Sequence, residues 1–371
     1  MWPLLRSFLF RSDAETVHHK TMSLASAALS LPPVRWLAST ALSNTDARLR
    51  LPLLGFELTS PVGLAAGFDK NAEWFNALGA LGFGFVEVGT LTGQAQSGNP
   101  KPRLFRLPAD RAVINRMGFN NGGSEDAARR LATAHIRPVL GINIGKSKVV
   151  ANEDALSDYL VSLERLVPYA RYVAVNVSSP NTAGLRDLQH ADALRSLLEG
   201  LLQRNQELAA ERGADAPPML VKIAPDLSDE QLDEIVELAE SLGLDGIIAT
   251  NTTIARAPLK TDAAEIEAIG AGGLSGAPLT SRSREVVARL YARCGGRLTI
   301  MGVGGIEDGD DAYEMMRAGA SAVQLYTGFI YGGPNIIRSI NERLLERLEA
   351  DGLRHISEAV GAAHRESGAP A

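Results

Sequence analysis

Eight short apolar runs, each followed by a helical pattern or a Gly-rich turn, constrain this chain more than any other feature. The runs are VGLAA (62–66), GFVEV (84–88), VLGINI (139–144), YVAVNV (172–177), MLVKI (219–223), DGIIAT (245–250), LTIMGV (298–303) and SAVQLY (321–326). They are rich in Val and Ile and nearly continuous, as strands buried on both faces of a parallel sheet are. Amphipathic helical patterns lie between them at 124–134, 153–168, 190–212, 228–242, 281–293 and 308–318. In 228–242, Leu232, Ile235, Val236 and Leu238 share a face, Ser228 is an N-cap and Gly243 a stop. Eight strand–helix units predict an α/β fold, a (β/α)8 TIM barrel. A doubly wound sheet is the alternative, but its edge strands are usually less apolar than these.

Two pieces lie outside the barrel, which is expected over 46–349. Residues 1–45 form an N-terminal helical extension with two short patterns. Leu4, Leu5, Phe8 and Leu9 make one apolar face, and Val17, Leu24, Ala28 and Leu29 the other. STALSNTDARLR (39–50) reads as a linker, and the tail 350–371 is expected to be flexible. No window holds 18 consecutive apolar residues, so no membrane-spanning helix is predicted. The first residues do not read as a secretory signal, because Arg6 interrupts the apolar run and Arg11 and Asp13 follow.

With 37 basic and 43 acidic residues the formal charge is -6, which argues against a nucleic-acid partner. The single cysteine, Cys294, excludes an intrachain disulfide and reads as a small buried thiol. No Cys/His cluster has metal-ligand spacing, so no metal is expected.

In a barrel of this kind the site forms at the C-terminal ends of the strands. Those ends carry Lys70, Thr90, Asn143, NVSSPN (176–181), Lys222, Thr250 to Thr252, GVGG (302–305) and YTG (326–328). The loop after the second strand adds INRMGFNNGG. Asn115, Asn143, Asn176, Asn181 and Asn251 together suit a flat, neutral ring with donor and acceptor edges. One Asn alone would be ordinary turn chemistry. The glycine turns after the last two strands, with GGLSG (272–276), suit a phosphate. Lys222 lies in an apolar strand, where a cation needs a partner or a chemical role. It could form a Schiff base, or stand as a cation beside a ring that becomes anionic. Lys70 faces either solvent or an acidic or carbonyl group.

GLAAGFDKN, NRMGFNN, NVSSPNT, VKIAPDL, ATNTT, GGLSG and GVGGI, in this order, resemble the dihydroorotate dehydrogenases. The likeness covers about residues 1–345, and Phe68 stands where the motif leads one to expect Leu. The resemblance implies an FMN enzyme that oxidises (S)-dihydroorotate to orotate in pyrimidine synthesis. A hydride leaves C6 for the flavin and a proton leaves C5. Ser179 in place of the cysteine of soluble class 1 enzymes, together with the extension, is similar to class 2, which uses a membrane quinone. Ser179 is then the catalytic base, and Ser178 mainly a turn residue. The resemblance places FMN against Ala66, Gly67, Lys70, Thr90, Asn143, Asn176, Lys222 and Thr250. Its phosphate would lie by Gly276, Gly305, Tyr326 and Thr327. Substrate would meet Lys70, Asn115, Arg116, Met117, Gly118, Phe119, Asn176, Asn181, Asn251 and Thr252.

Residues 1–45 would meet the membrane surface and frame a quinone tunnel, with His18 and Arg106 at its polar end. With no targeting sequence before the first helix, a peripheral place on the cytoplasmic side of the inner membrane is expected. Three other readings stay open. They are a class 1-like enzyme with a soluble acceptor, a flavin-free lyase using Lys222 as a Schiff base, and a non-catalytic phosphate binder.

Overall fold

The computed structural model describes residues 2–256 and 258–366. Eight parallel strands close into a barrel: Val62–Leu64, Phe85–Leu91, Val139–Ile144, Tyr172–Asn176, Met219–Ile223, Gly246–Ala249, Thr299–Val303 and Ala322–Leu325. Each pairs with the next in sequence, and the eighth closes on the first through Val323 opposite Val62. All eight lie within a residue or two of the predicted runs, except that the second extends to Leu91. The 228–242 helix forms as read: Ser228 and Gln231 make a reciprocal capping box, and Gly243 ends it at φ 68°.

Glycine makes room for rings inside the barrel. Gly141 lies opposite Tyr172 in register, and a Cβ there would stand 2.1 Å from that ring. Gly63 lies opposite Phe85 in the same way, at 2.3 Å. Neighbouring strands thus alternate small and large residues to fill a closed interior.

Two short sheets were not among the expected elements. Leu51–Leu53 and Phe56–Leu58 form a hairpin before the first barrel strand. Leu104–Leu107, Ala112–Asn115 and Gly273–Gly276 form an antiparallel sheet that joins the loop after the second strand to the one after the sixth. Each of these strands has three or four residues, too few to show a period, and Gly273–Gly276 is remote in sequence from the strand it pairs with.

The N-terminal segment holds three helices instead of two: α1 (Trp2–Leu9), α2 (Ala14–Ser30) and α3 (Pro32–Leu42). Pro32 and Pro33 open α3, since a first-turn residue needs no N–H partner, and the expected linker at 39–50 therefore begins as helix. The tail also differs from expectation. Ile356 and Ala359 are buried, and His364 Nε2 donates to Ala318 O at 3.0 Å. Residues 350–366 are thus packed on the barrel, and 367–371 lie outside the described residues.

The extension is fixed to the barrel by a buried ion pair. Arg103 donates to both oxygens of Glu15 in α2, at 3.0 and 2.6 Å, and each side chain is only 6% exposed. Arg103 also donates to Ser97 O and Asn99 O, so its donors are largely satisfied. In α1, Trp2 and Arg6 both donate to Tyr331 O at 2.9 Å.

Burial pushes the Glu15 carboxyl up, but Arg103 and Lys101 more than offset this and hold it below its ordinary value. A depressed carboxylate contributes stability above its unfolded value and loses it as pH falls through the folded one. Docking of α2 should therefore persist at pH 5 and be lost only below the usual carboxylate range. Arg103→Ala leaves Glu15 buried with only the exposed Lys101 beside it, at 3.3 Å, at a cost of about 3 kcal/mol. Trypsin should then cut within residues 11–35 many times faster at pH 7.5, and the acid transition in tryptophan fluorescence should move to higher pH.

Candidate active site

The site is built upward from one carboxylate. Glu87, in the second barrel strand, is fully buried. Its Oε2 accepts from Tyr172 OH at 3.0 Å and Gln324 Nε2 at 2.7 Å. Its Oε1 accepts from Asn143 Nδ2 at 2.8 Å and lies 3.5 Å from Lys222 Nζ. A carboxylate taken from water needs such partners, and it gives the buried Lys222 a counter-charge.

A hydrogen-bond chain climbs from this floor to the rim. Asn143 Oδ1 accepts from Thr90 Oγ1 at 2.6 Å and Asn176 Nδ2 at 3.3 Å. Asn176 Nδ2 also donates to Thr90 Oγ1 at 2.9 Å, and Asn176 Oδ1 accepts from Ser178 Oγ at 2.8 Å. Ser178 Oγ in turn accepts from Asn251 Nδ2 at 2.9 Å. Ser178 is thus more than a turn residue: its buried hydroxyl couples the loops after the fourth and sixth strands.

Ser179 is 5% exposed and lines the cleft above this chain. Among the described residues, the one hydrogen bond at its Oγ is accepted from Asn181 N at 3.3 Å. Its proton is therefore left to a ligand or to water. Asn181 Nδ2 reaches Asn115 Oδ1 at 3.1 Å, joining the serine loop to the small sheet.

The cleft encloses about 1020 Å3 of empty space, the solvent at its mouth included. At its far end are Gly276 (φ 104°) and Gly305 (φ 73°). A Cβ at Gly305 would stand 2.2 Å from Thr280 Oγ1, and one at Gly276 2.3 Å from Arg111 O, so only glycine fits either turn. Ser275 and Thr327 share a hydroxyl contact at 2.8 Å beside them. Lys70 is half-buried and lines the same cleft; loss of hydration pulls its ammonium down to about 8, against the nearby charge of Glu15.

Ala66, Gly67, Lys70, Thr90, Asn176, Lys222, Thr250, Gly276, Gly305, Tyr326 and Thr327 line this cleft. So do Asn115, Met117, Gly118, Phe119, Ser179, Asn181, Asn251 and Thr252. Asn143 lies one layer below, against Thr90 and Glu87. Arg116 departs from expectation: it lies over the Phe105 ring and donates to Ile269 O and Ala271 O, bracing the small sheet instead of lining the cleft. His18 and Arg106 also stand outside. Burial takes the His18 imidazole down to about 3, so it is neutral, and its Nε2 donates to Phe68 O at 2.9 Å. Phe68 packs edge-on against both His18 and Tyr326, so an aromatic path links α2 to the cleft wall. Arg106 lies over the Phe10 ring and donates to Leu9 O.

Glu87, Tyr172 and Gln324 are not among the sequence candidates. A signal exists, because Glu87 and Gln324 interrupt apolar runs as Lys222 does.

A family model described as dihydroorotate dehydrogenase matches residues 48–348. A dihydroorotate dehydrogenase (quinone) of Rhodococcus erythropolis is 52% identical over 362 residues, covering 98% of this chain and 99% of its own. One from Thermobifida fusca is 50% identical over 362 residues, covering 96% and 95%. The crystal structure of DHODH from Eimeria tenella in complex with ferulenol superposes with a TM-score of 0.84 at 40% identity, over 95% of this chain and 96% of that one.

The Glu87–Lys222 pair should behave as a unit. Glu87→Leu or Lys222→Met alone should each cost about 3–5 kcal/mol, because each strands a buried charge. The double variant should cost less than the sum by about 1–3 kcal/mol, read from urea unfolding of all four proteins.

Proposed function

The chain belongs to the dihydroorotate dehydrogenase family, and from that membership and the cleft we propose how it works as the quinone-dependent form. It oxidises dihydroorotate to orotate in pyrimidine biosynthesis. The observation that carries the assignment of roles is the position of Ser179 in the cleft wall, its hydroxyl proton uncommitted, beside a rim of asparagines and above a buried cation.

The residues fit FMN. The rim offers amide donors and acceptors to a flat ring, Lys222 supplies a positive charge below it, and two turns closed to any Cβ leave backbone for a phosphate. Ala66, Gly67, Lys70, Thr90, Asn176, Lys222, Thr250 and Tyr326 would hold the ring system and its chain. Gly276, Gly305 and Thr327 would hold the phosphate, while Asn143 orients Thr90 and Asn176 from beneath. When bound, FMN supplies the hydride acceptor.

The chain's own residues do the rest. Asn115, Asn181, Asn251 and Thr252 grip the pyrimidine and its carboxylate, with Met117, Gly118 and Phe119 closing one side. Lys70 carries its proton below about 8 and faces the anionic substrate. Ser179 Oγ takes the proton from C5 as its own hydroxyl proton passes to a water molecule. A serine hydroxyl is a weak base, so the fixed donors and the exclusion of water must lower the barrier. Lys222, paired with a carboxylate, is a poor amine nucleophile, which speaks against a Schiff base.

The extension supports a membrane role. Leu4, Leu5, Phe8, Leu24, Leu31, Val34, Trp36 and Leu37 are large, apolar and exposed, and all lie within residues 2–42. No helix of the described residues is long and apolar enough to cross a membrane. Residues 1–45 would lie on the cytoplasmic face of the inner membrane as the quinone-passage segment, with 46–349 as the catalytic barrel. His18 and Arg106 would mark the polar end of the passage.

Two experiments test these roles. Ser179→Ala should keep its flavin bands, while anaerobic dihydroorotate bleaches them roughly 100-fold or more slowly than in the wild type, the scale of a lost general base. A bleaching rate equal to the wild type would remove Ser179 from the chemistry. Phe8→Glu with Trp36→Glu and Leu37→Glu should abolish co-sedimentation with liposomes and quinone turnover in membranes, with bleaching unchanged. Persistent liposome binding would exclude this face as the membrane contact.

A further inference from the structure

Arg186 lies outside the cleft, yet it is bound to three of the loops that build it. It sits in a short 3-10 segment, Leu185–Gln189, beyond the serine loop. Its Nε donates to Ser178 O at 3.0 Å, in the loop after the fourth strand. Its Nη1 donates to Asp226 Oδ2 at 2.8 Å, in the loop after the fifth. Its Nη2 donates to Thr252 O at 2.9 Å, in the loop after the sixth. Asp226 extends the junction by accepting from Thr253 Oγ1 and from Ile254 N at 3.3 Å. The same 3-10 segment sends Gln189 Oε1 to accept from Ala224 N at 2.9 Å.

The carbonyl of Ser178 belongs to the peptide that joins it to Ser179. Holding that oxygen fixes the plane from which the Ser179 side chain departs. Ser178 is then gripped at three atoms: its carbonyl by Arg186, its N–H by Asn176 and its hydroxyl by Asn176 and Asn251. Thr252, whose carbonyl takes the third donor, itself lines the cleft. Only a planar guanidinium has donors along three edges at once; a lysine ammonium on its flexible stem does not reproduce this geometry. The pair is about four-fifths buried, at 20% and 22% exposure, and neither side chain lines the cleft.

We propose that Arg186, oriented by Asp226, is a positioning residue that sets the aim of Ser179 Oγ at the substrate carbon and its distance from Thr252. This rests on Ser179 being the base that removes the C5 proton. Ångström-scale misplacement of a reacting group costs on the order of 100-fold in rate, so loss of the clamp should register in the proton step.

The test uses FMN-loaded wild type, Arg186→Ala and Arg186→Lys, bleached anaerobically with saturating dihydroorotate and with substrate deuterated at C5 or at C6. Arg186→Ala should keep its flavin content and bleach roughly 10–100-fold more slowly. Its isotope effect from C5 should rise while that from C6 does not, because proton removal becomes more rate-limiting. Arg186→Lys, which keeps the charge and the Asp226 pair, should fall between. A bleaching rate and isotope effects equal to the wild type in Arg186→Ala overturn the clamp. So does slower bleaching with unchanged isotope effects, which marks a merely structural role. If Arg186→Ala yields no folded holoprotein, Arg186→Lys decides by the same two readouts. A wild-type enzyme that dihydroorotate does not bleach overturns the parent reading and the clamp with it. A wild type that bleaches beside unaltered variants overturns the clamp alone.

Discussion

Glu87 sits inside the barrel with no exposed atom, and the geometry of the cleft depends on it. Its two oxygens take three hydrogen bonds and a lysine, contributed by strands three, four, five and eight. Such a group has one satisfactory arrangement, since any partner that turns away leaves a buried polar atom unmet. That requirement fixes which way the Asn143 amide points. Asn143 then fixes Thr90 and Asn176, and Asn176 fixes Ser178. The rim of the cleft is thus ordered from below by electrostatics as well as by packing.

A barrel with an apolar interior at this level would be easier to stabilise. Buried ion pairs often contribute less than well-packed hydrophobic side chains of the same volume. Here the polar floor holds a cation under the site and removes rotational choice from four amide and hydroxyl groups. Electrostatic preorganisation of this kind assists a reaction because no group must reorient when charge develops.

The barrel strands were legible because burial on both faces leaves continuous apolar runs, and the 228–242 helix because its cap and stop residues are local. The small sheet was not, since AVIN lies between LFRL and the remote GLSG and gains its meaning only from that pairing, with Asn115 opposite Gly273. Ser178 reads as a turn residue in NVSSPN; its second role appears only when Asn251 arrives from another loop. Arg186 is opaque for the same reason, since its donors go to three segments. Arg116, next to Asn115, shows the converse: adjacency in sequence does not carry it into the cleft, because its guanidinium is taken by the Phe105 ring and the carbonyls of Ile269 and Ala271. The unexpected Phe68 is accounted for locally, by edge-on contacts with His18, Tyr326 and Phe329.

The small antiparallel sheet couples two ends of the cleft that are distant in sequence. Asn115 pairs across it with Gly273, and Gly276 with Ala112. The Asn115 amide and the Gly276 turn, both in the cleft wall, are therefore spaced by a fixed ladder, like the jaws of a caliper. Sliding that ladder by one residue would turn every side chain on it over and alter both jaws together. The loops on either side are free to lengthen, but the four-residue strands between them are not. Tolerance of insertions should therefore be sharply uneven along this face of the barrel, with the ladder itself behaving as a gauge of the cleft's length.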